Sequence, residues 1–228
     1  MNEVRFDWDR AARTGVAEAV FAEGKSNEQI LSVLRQALEK QHPVLITRLT
    51  ADQFEAARPH CGDRLDYDPV SRTAIYGEPA PLAGLSRVGI VCAGTSDLPV
   101  ALEAQRCLAY LGIDSRLYPD AGVAGLWRLM SIADELRQHP VLIAVAGMEG
   151  SLFSVLSGLV PGIVIAVPTS IGYGVASGGR VALQSALASC SPGVVCVNID
   201  NGFGAAAAAR KMLLTSHGRS EASPPAAR

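Results

Sequence analysis

From Arg87 onward, short apolar runs alternate with stretches of helical periodicity, and this alternation restricts the second half of the chain to a parallel α/β sheet. Strands are expected near 88–93, 115–118, 141–146, 162–167 and 194–199, and helices near 97–111, 122–137, 150–159, 179–189 and 204–214. Val141-Leu142-Ile143-Ala144-Val145-Ala146 has no polar alternation to offer solvent, so helices must cover both faces of the sheet. The expected architecture is a doubly wound parallel sheet over residues 87–214.

Each expected strand ends in a small polar or acidic cluster. These are Gly94-Thr95-Ser96-Asp97, Tyr118-Pro119-Asp120, Gly147-Met148-Glu149-Gly150, Pro168-Thr169-Ser170 and Asn198-Ile199-Asp200-Asn201-Gly202. Parallel strands present their carboxyl ends along one edge, so the clusters are expected to converge on one crevice, where ligands of such folds bind.

The first part of the chain, residues 1–77, reads as a small α+β unit. Asp7 to about Glu23 has helical periodicity, and Ser26-Asn27-Glu28-Gln29 is a capping box that opens a second helix, stopped by His42-Pro43. Val44-Leu45-Ile46 makes a strand, and Thr50-Ala51-Asp52-Gln53 caps a third, short helix. Leu65-Asp66-Tyr67 is expected to pair with Thr73-Ala74-Ile75-Tyr76. Residues 78–86, which hold Pro79 and Pro81, have the composition expected of a linker. Residues 215–228 are expected to be a disordered tail.

Composition narrows the function. A formal net charge of −2 and a pI near 6.1 give no electrostatic attraction to nucleic acid or an anionic membrane. Met1 to Arg10 lacks the apolar core of a secretory signal, and the apolar run Val155–Val167 is interrupted by Pro161, so no membrane span is expected. The five cysteines, Cys61, Cys92, Cys107, Cys190 and Cys196, are odd in number and show no CxxC spacing, which fits a reducing cytoplasm better than a disulfide framework or zinc site. None of the four histidines stands at a strand end as a base or metal ligand.

Within the clusters, Ser96 and Asp97 open a helix whose free N–H groups suit a phosphate or carboxylate, although N-capping explains the same residues. Glu149, flanked by Met148 and Gly150, is placed to project into the crevice, where partial burial would raise its pKa toward proton transfer; a first-turn acid complementing a helix dipole is the alternative. Asn198, Asp200, Asn201 and Gly202 suit a hydroxylated ligand such as a ribose. Gly172 to Gly179 has the wrong spacing for a dinucleotide fingerprint, so Rossmann-type NAD binding is not supported. Cys92 and Cys196 fall in strands and Cys107 in a helix, as inert core thiols do, whereas Cys190 stands in a polar loop. That loop belongs to the opposite edge of the sheet, so a catalytic Cys190 requires a neighbouring subunit or an oblique preceding helix.

Ala93-Gly94-Thr95-Ser96-Asp97-Leu98-Pro99-Val100, Asp120 to Gly125, Ala146 to Gly150, Val167 to Gly174 and Val197 to Ala205 together resemble the LarB family, whose C-terminal domain is similar to the purine carboxylase/mutase PurE. Asp9-Arg10, Gly15, Glu18, Gly24-Lys25 and Leu65 to Asp68 extend the resemblance over the small unit. It implies a PurE-like, flavodoxin-like three-layer domain and a carboxylase/hydrolase of nickel-pincer nucleotide cofactor biosynthesis, in the pathway of lactate racemase maturation. The implied reaction joins CO2 to the pyridinium ring of nicotinic acid adenine dinucleotide and cleaves the phosphoanhydride to release AMP. No tightly bound cofactor is implied, CO2 being a substrate, and assistance by Mg2+ is left open.

By this resemblance the nucleophile falls on Cys190, the acidic residue on Glu149 and the strand-end serine on Ser96. Substrate contacts are expected from Gly94, Thr95, Asp97, Asp120, Gly122, Gly147, Met148, Gly150, Pro168, Thr169, Asn198, Asp200, Asn201 and Gly202. One departure is Trp127, where the family has histidine before Arg128, so an imidazole role there is lost. The resemblance also implies a homo-oligomer, an octamer, with sites at subunit contacts. The competing readings are a PurE-type aminoimidazole ribonucleotide carboxylase/mutase and a non-catalytic dinucleotide-binding module.

Overall fold

The computed structural model describes residues 4–217, with backbone alone for 83–86 and 216–217. The N-terminal unit runs α1 (Arg10–Thr14), β1 (Ala19–Phe21), α2 (Asn27–Lys40), β2 (Val44–Thr47), α3 (Ala51–Cys61), β3 (Leu65–Asp68) and β4 (Thr73–Tyr76). Its sheet has the order β1-β2-β4-β3, with β1 parallel to β2 and the other pairs antiparallel. Both capping boxes form: the Ser26 hydroxyl accepts from the Gln29 N–H and the Thr50 hydroxyl from the Gln53 N–H.

The helix expected over Asp7–Glu23 is confined to α1. Gly15 closes it in the left-handed conformation at φ 78°, its N–H bonded to the Ala11 carbonyl. Ala19–Phe21 then pairs with Leu45–Thr47, so strand pairing overrides the local helical periodicity.

The second unit runs β5 (Ala83–Cys92), α4 (Leu98–Tyr110), β6 (Ile113–Tyr118), α5 (Leu126–Ser131), α6 (Ala133–Leu136), β7 (Val141–Ala146), α7 (Ser151–Leu159), β8 (Ile163–Pro168), α8 (Arg180–Leu187), β9 (Val194–Cys196) and α9 (Gly202–His217). All its strands are parallel, in the order β6-β5-β7-β8-β9. This is a doubly wound, flavodoxin-like sheet. One face packs on α4 and α9 through Ile90, Ile143, Ile165, Cys107 and Ala205. The other packs on α5 to α8 through Leu129, Leu136, Leu142, Phe153 and Ala182. Leu142 and Phe153 are fully buried, each contributing about 1.5–3 kcal/mol of transfer free energy.

Four boundaries differ from expectation. β5 begins at Ala83, so the end of the proline-containing segment already pairs with Ile113. The helix expected over 122–137 is two short helices, because the Ser131 hydroxyl takes the Arg128 carbonyl and competes with the helical ladder. β9 ends at Cys196, where Asn198 bonds the Ile199 N–H and turns the chain away from the sheet. α9 continues to His217, beyond the expected end at 214, while residues 218–228 of the expected tail lie outside the described residues.

The two units share one core. Val16, Leu45 and Ile75 pack in the same apolar cluster as α4 and α9. Polar ties reinforce it: Arg106 donates to Thr73 and Asp66, Tyr110 to the Pro43 carbonyl, and Arg210 to the carbonyls of Gly15 and Leu111.

Candidate active site

β5 connects through α4 to β6 on one side of the sheet and its neighbour β7 connects through α7 to β8 on the other, so the loops leaving β5 and β7 part between them, at the switch point where such sheets bind ligands. A crevice of about 390 Å³ opens at that point. Gly94, Ser96 and Asp97 follow β5; Asp120, Gly122 and Arg128 follow β6; Gly147, Met148, Glu149 and Gly150 follow β7. Ile171 completes the wall. Gly147 is obligatory at this crossing, because a Cβ there would sit 2.1 Å from the Ile171 carbonyl oxygen and 2.7 Å from Thr169 Oγ1.

Asp97 anchors the floor. It is 5% exposed, accepts from Thr169 Oγ1 at 2.5 Å and from the Gly94 N–H at 3.0 Å. Burial raises its pKa above the ordinary carboxylate value, opposed by those hydrogen bonds and reinforced by nearby Asp200. Asp97 is therefore a satisfied internal acceptor that shapes the turn. Ser96 beside it is exposed to the crevice. Across the opening, Arg128 forms an ion pair with Asp120 and is part of the wall. Trp127 is not part of that lining and is 73% exposed.

Glu149 is exposed rather than partly buried as expected. Met148 at φ 52° and Gly150 at φ 65° turn the backbone there, and the Glu149 carboxylate accepts from the Ser151 hydroxyl at 2.7 Å. Among the thiols, burial pushes Cys92 up to about 12 and Cys107 well above its ordinary value, and it also raises Cys196 and Cys61. Those four are suppressed as nucleophiles. Cys190 is the exposed one.

The five clusters do not form one crevice. The Met148 N–H donates to the Ile171 carbonyl at 2.9 Å, and this contact closes the crevice on the β8 side. Asn198, Asp200 and Asn201 instead line a second cleft of about 450 Å³ with Thr47, Arg48 and Glu103. Pro168 is buried in the β7–β8 pairing, and Thr169 lies beneath the floor. Thr95 is exposed outside both linings, and Gly202 lies at the α4–α9 crossing, where a Cβ would come within 2.7 Å of the Val100 carbonyl oxygen.

Cys190 also lies outside the crevice lining of its own chain. Its loop runs along α7: Ser191 donates to the Ser154 carbonyl at 2.8 Å and Ser157 to the Pro192 carbonyl at 2.7 Å. These bonds hold the thiol on the outer surface.

Sequence reasoning passed over Arg48 and Glu103. The available signal was an acid at Glu103 on a helix face otherwise made of Ala101, Ala104 and Cys107, since a carboxylate inside such a face needs a partner. Among the described residues no helix is long and apolar enough to cross a membrane, and no group of three His, Cys, Asp or Glu converges as a metal site.

Comparison with known proteins bears on the family of the chain. Residues 1–78 match the family model of the LarB/PurE-like N-terminal domain, and residues 87–223 match that of AIR carboxylase. A Methanocaldococcus jannaschii protein described as uncharacterized is 36% identical over 209 residues, covering 89% of this chain and 80% of that protein.

Proposed function

The chain belongs to the AIR carboxylase family as a LarB-like, PurE-like carboxylase, and from that premise we propose that its substrate is nicotinic acid adenine dinucleotide. The proposed reaction carboxylates the pyridinium ring with CO2 and hydrolyses the phosphoanhydride, giving pyridinium-3,5-dicarboxylate mononucleotide and AMP for nickel-pincer cofactor biosynthesis. The observation that carries this reading over purine carboxylation is the chemistry of the crevice: its lining offers Glu149, Ser96 and Arg128 but, among the described residues, no imidazole.

A pyridinium carbon is too electron-poor to attack CO2. Addition of the Cys190 thiolate at carbon 4 forms an S–C bond and moves an electron pair onto the ring nitrogen, leaving a neutral dihydropyridine whose carbon 5 is enamine-like. Carbon 5 then bonds to CO2. Loss of the carbon 5 proton to Glu149, followed by expulsion of the thiolate, restores the aromatic cation. Ser96 orients the substrate or CO2, and Arg128 with Asp120 borders the polar end of the crevice. Water adds to the phosphoanhydride phosphorus as AMP departs.

Because the loop of Cys190 is tied to α7 outside its own crevice, the thiol is supplied by a neighbouring copy in a homo-oligomer. Exposed apolar residues beside the crevice support that assembly: Trp127 on α5, and Tyr173 and Val175 after β8, are 73%, 77% and 94% exposed.

The test is incubation with nicotinic acid adenine dinucleotide and bicarbonate, beside a parallel incubation with aminoimidazole ribonucleotide, followed by mass spectrometry. Formation of the dicarboxylated mononucleotide and AMP supports the proposal. Turnover of the aminoimidazole substrate alone assigns the purine reaction instead. A chain that binds the dinucleotide, turns over neither substrate and keeps every property in Cys190→Ala is a binding module.

A further inference from the structure

Arg48 joins the N-terminal unit to the floor of the crevice through a continuous set of hydrogen bonds. Its own backbone is fixed first. Arg48 sits at φ 58°, a left-handed conformation that an L-residue keeps only when its surroundings impose it. The turn between β3 and β4 imposes it: Arg72 donates to the Arg48 carbonyl at 3.1 Å, and the Leu49 N–H donates to the Arg72 carbonyl at 2.8 Å.

The guanidinium so aimed crosses to the second unit. Its Nε lies 3.4 Å from Glu103 Oε2, and its Nη2 donates to the Asp200 carbonyl. Glu103, with a side chain 6% exposed, uses its other oxygen to accept from the Phe203 N–H at 3.1 Å. Asp200 is also left-handed, at φ 54°, and so depends on its contacts for its shape.

Asp200 in turn grips the end of β8. Its N–H donates to the Pro168 carbonyl and its carboxylate accepts from the Ser170 N–H, both at 2.8 Å. Between those two residues, Thr169 donates to Asp97, whose carboxylate accepts from the Gly94 N–H. The path therefore ends at the turn that presents Ser96 to the crevice.

We propose that Arg48 is a positioning residue, through which the N-terminal unit sets the geometry of the Pro168–Ser170 turn and of the Asp97-anchored crevice floor. The inference rests on the carboxylase reading of that crevice. It gives the N-terminal unit a part in the reaction although Arg48 lines only the second cleft.

A purely structural alternative is that Arg48 does no more than neutralise buried Glu103. The two roles separate in the full-length variants Arg48→Met and Arg48→Met with Glu103→Gln. The double variant removes the unpaired carboxylate while keeping an acceptor for the Phe203 N–H, so it recovers melting temperature. If Arg48 positions the turn, both variants exchange the Ser170 and Gly94 amide hydrogens about 10-fold or more faster than the unmodified chain, since a charge-assisted hydrogen bond is lost. In both, carboxylation at saturating substrate falls about 10²-fold, as expected for misplaced reacting groups. Arg48→Lys restores the charge but not the planar fork, and it keeps the melting temperature while remaining slow.

Unchanged exchange at Ser170 and Gly94 in Arg48→Met overturns the proposal. So does a double variant in which exchange protection and rate return together with stability. Hydrogen exchange requires no substrate, so an unmodified chain that makes no product refutes the carboxylase reading, and the exchange rates still decide the role of Arg48.

Discussion

Replacing Thr169 by valine tests the buried acceptor beneath the crevice. Thr169 is fully buried and valine has nearly its volume, so the substitution removes one hydrogen bond to Asp97 without opening a cavity. Losing a hydrogen bond to an ionised group costs about 1.5–3 kcal/mol, against about 0.5–1.5 kcal/mol for a neutral pair. In a chain of this size the larger figure lowers the melting temperature by about 3–12 °C. Burial raises the folded-state pKa of Asp97 above 3.8, so the folded chain retains that proton after the unfolded chain has released it. Ionising Asp97 therefore costs stability as pH rises from the unfolded value through the raised one. Thr169→Val raises the pKa further, and its cost grows with pH. Urea unfolding of both chains from about pH 4, near the unfolded value, up to about pH 8 reads this directly. A cost independent of pH, or below about 0.5 kcal/mol throughout, refutes the view of Asp97 as a buried, ionised anchor.

The crossing at Gly147 is equally exposed to test. Gly147→Ala places a Cβ against the Ile171 carbonyl and costs about 1–3 kcal/mol or more by overpacking, seen as a lower urea midpoint together with a raised KM. Subunit complementation addresses Cys190: co-expressed Cys190→Ala and Glu149→Gln chains, each inactive alone, regain activity at about a quarter of randomly mixed sites if the thiol crosses a subunit boundary. They stay inactive if it serves its own chain.

Much of the fold was legible where local and global signals agree. Continuously apolar strands such as 141–146 fit only a sheet covered on both faces, and the capping residues Ser26 and Thr50 mark their helix starts directly. The segment around Ala19–Phe21 misled because strand pairing with β2 is a non-local term that outweighs periodicity. The single crevice misled for a related reason. A sequence shows that Pro168–Ser170 and Asn198–Gly202 end strands, but not that the Met148–Ile171 contact divides the edge. Arg48 left no trace in the sequence because its role depends on partners at Glu103 and Asp200, far away along the chain. Glu149 and Cys190 are singled out by family resemblance, and chain order alone already puts the Cys190 loop at the opposite edge of the sheet; the hydrogen bonds that tie this loop to α7 appear only in three dimensions.

The central claim is that the sulfur of Cys190 bonds to the pyridinium ring. Intact-protein mass spectrometry after mixing with nicotinic acid adenine dinucleotide in CO2-depleted buffer, followed by peptide mapping, measures it most directly. The account predicts a nucleotide adduct on the peptide containing Cys190 that disappears in Cys190→Ala and is discharged as product when bicarbonate is added. Product formation that persists undiminished in Cys190→Ala contradicts it.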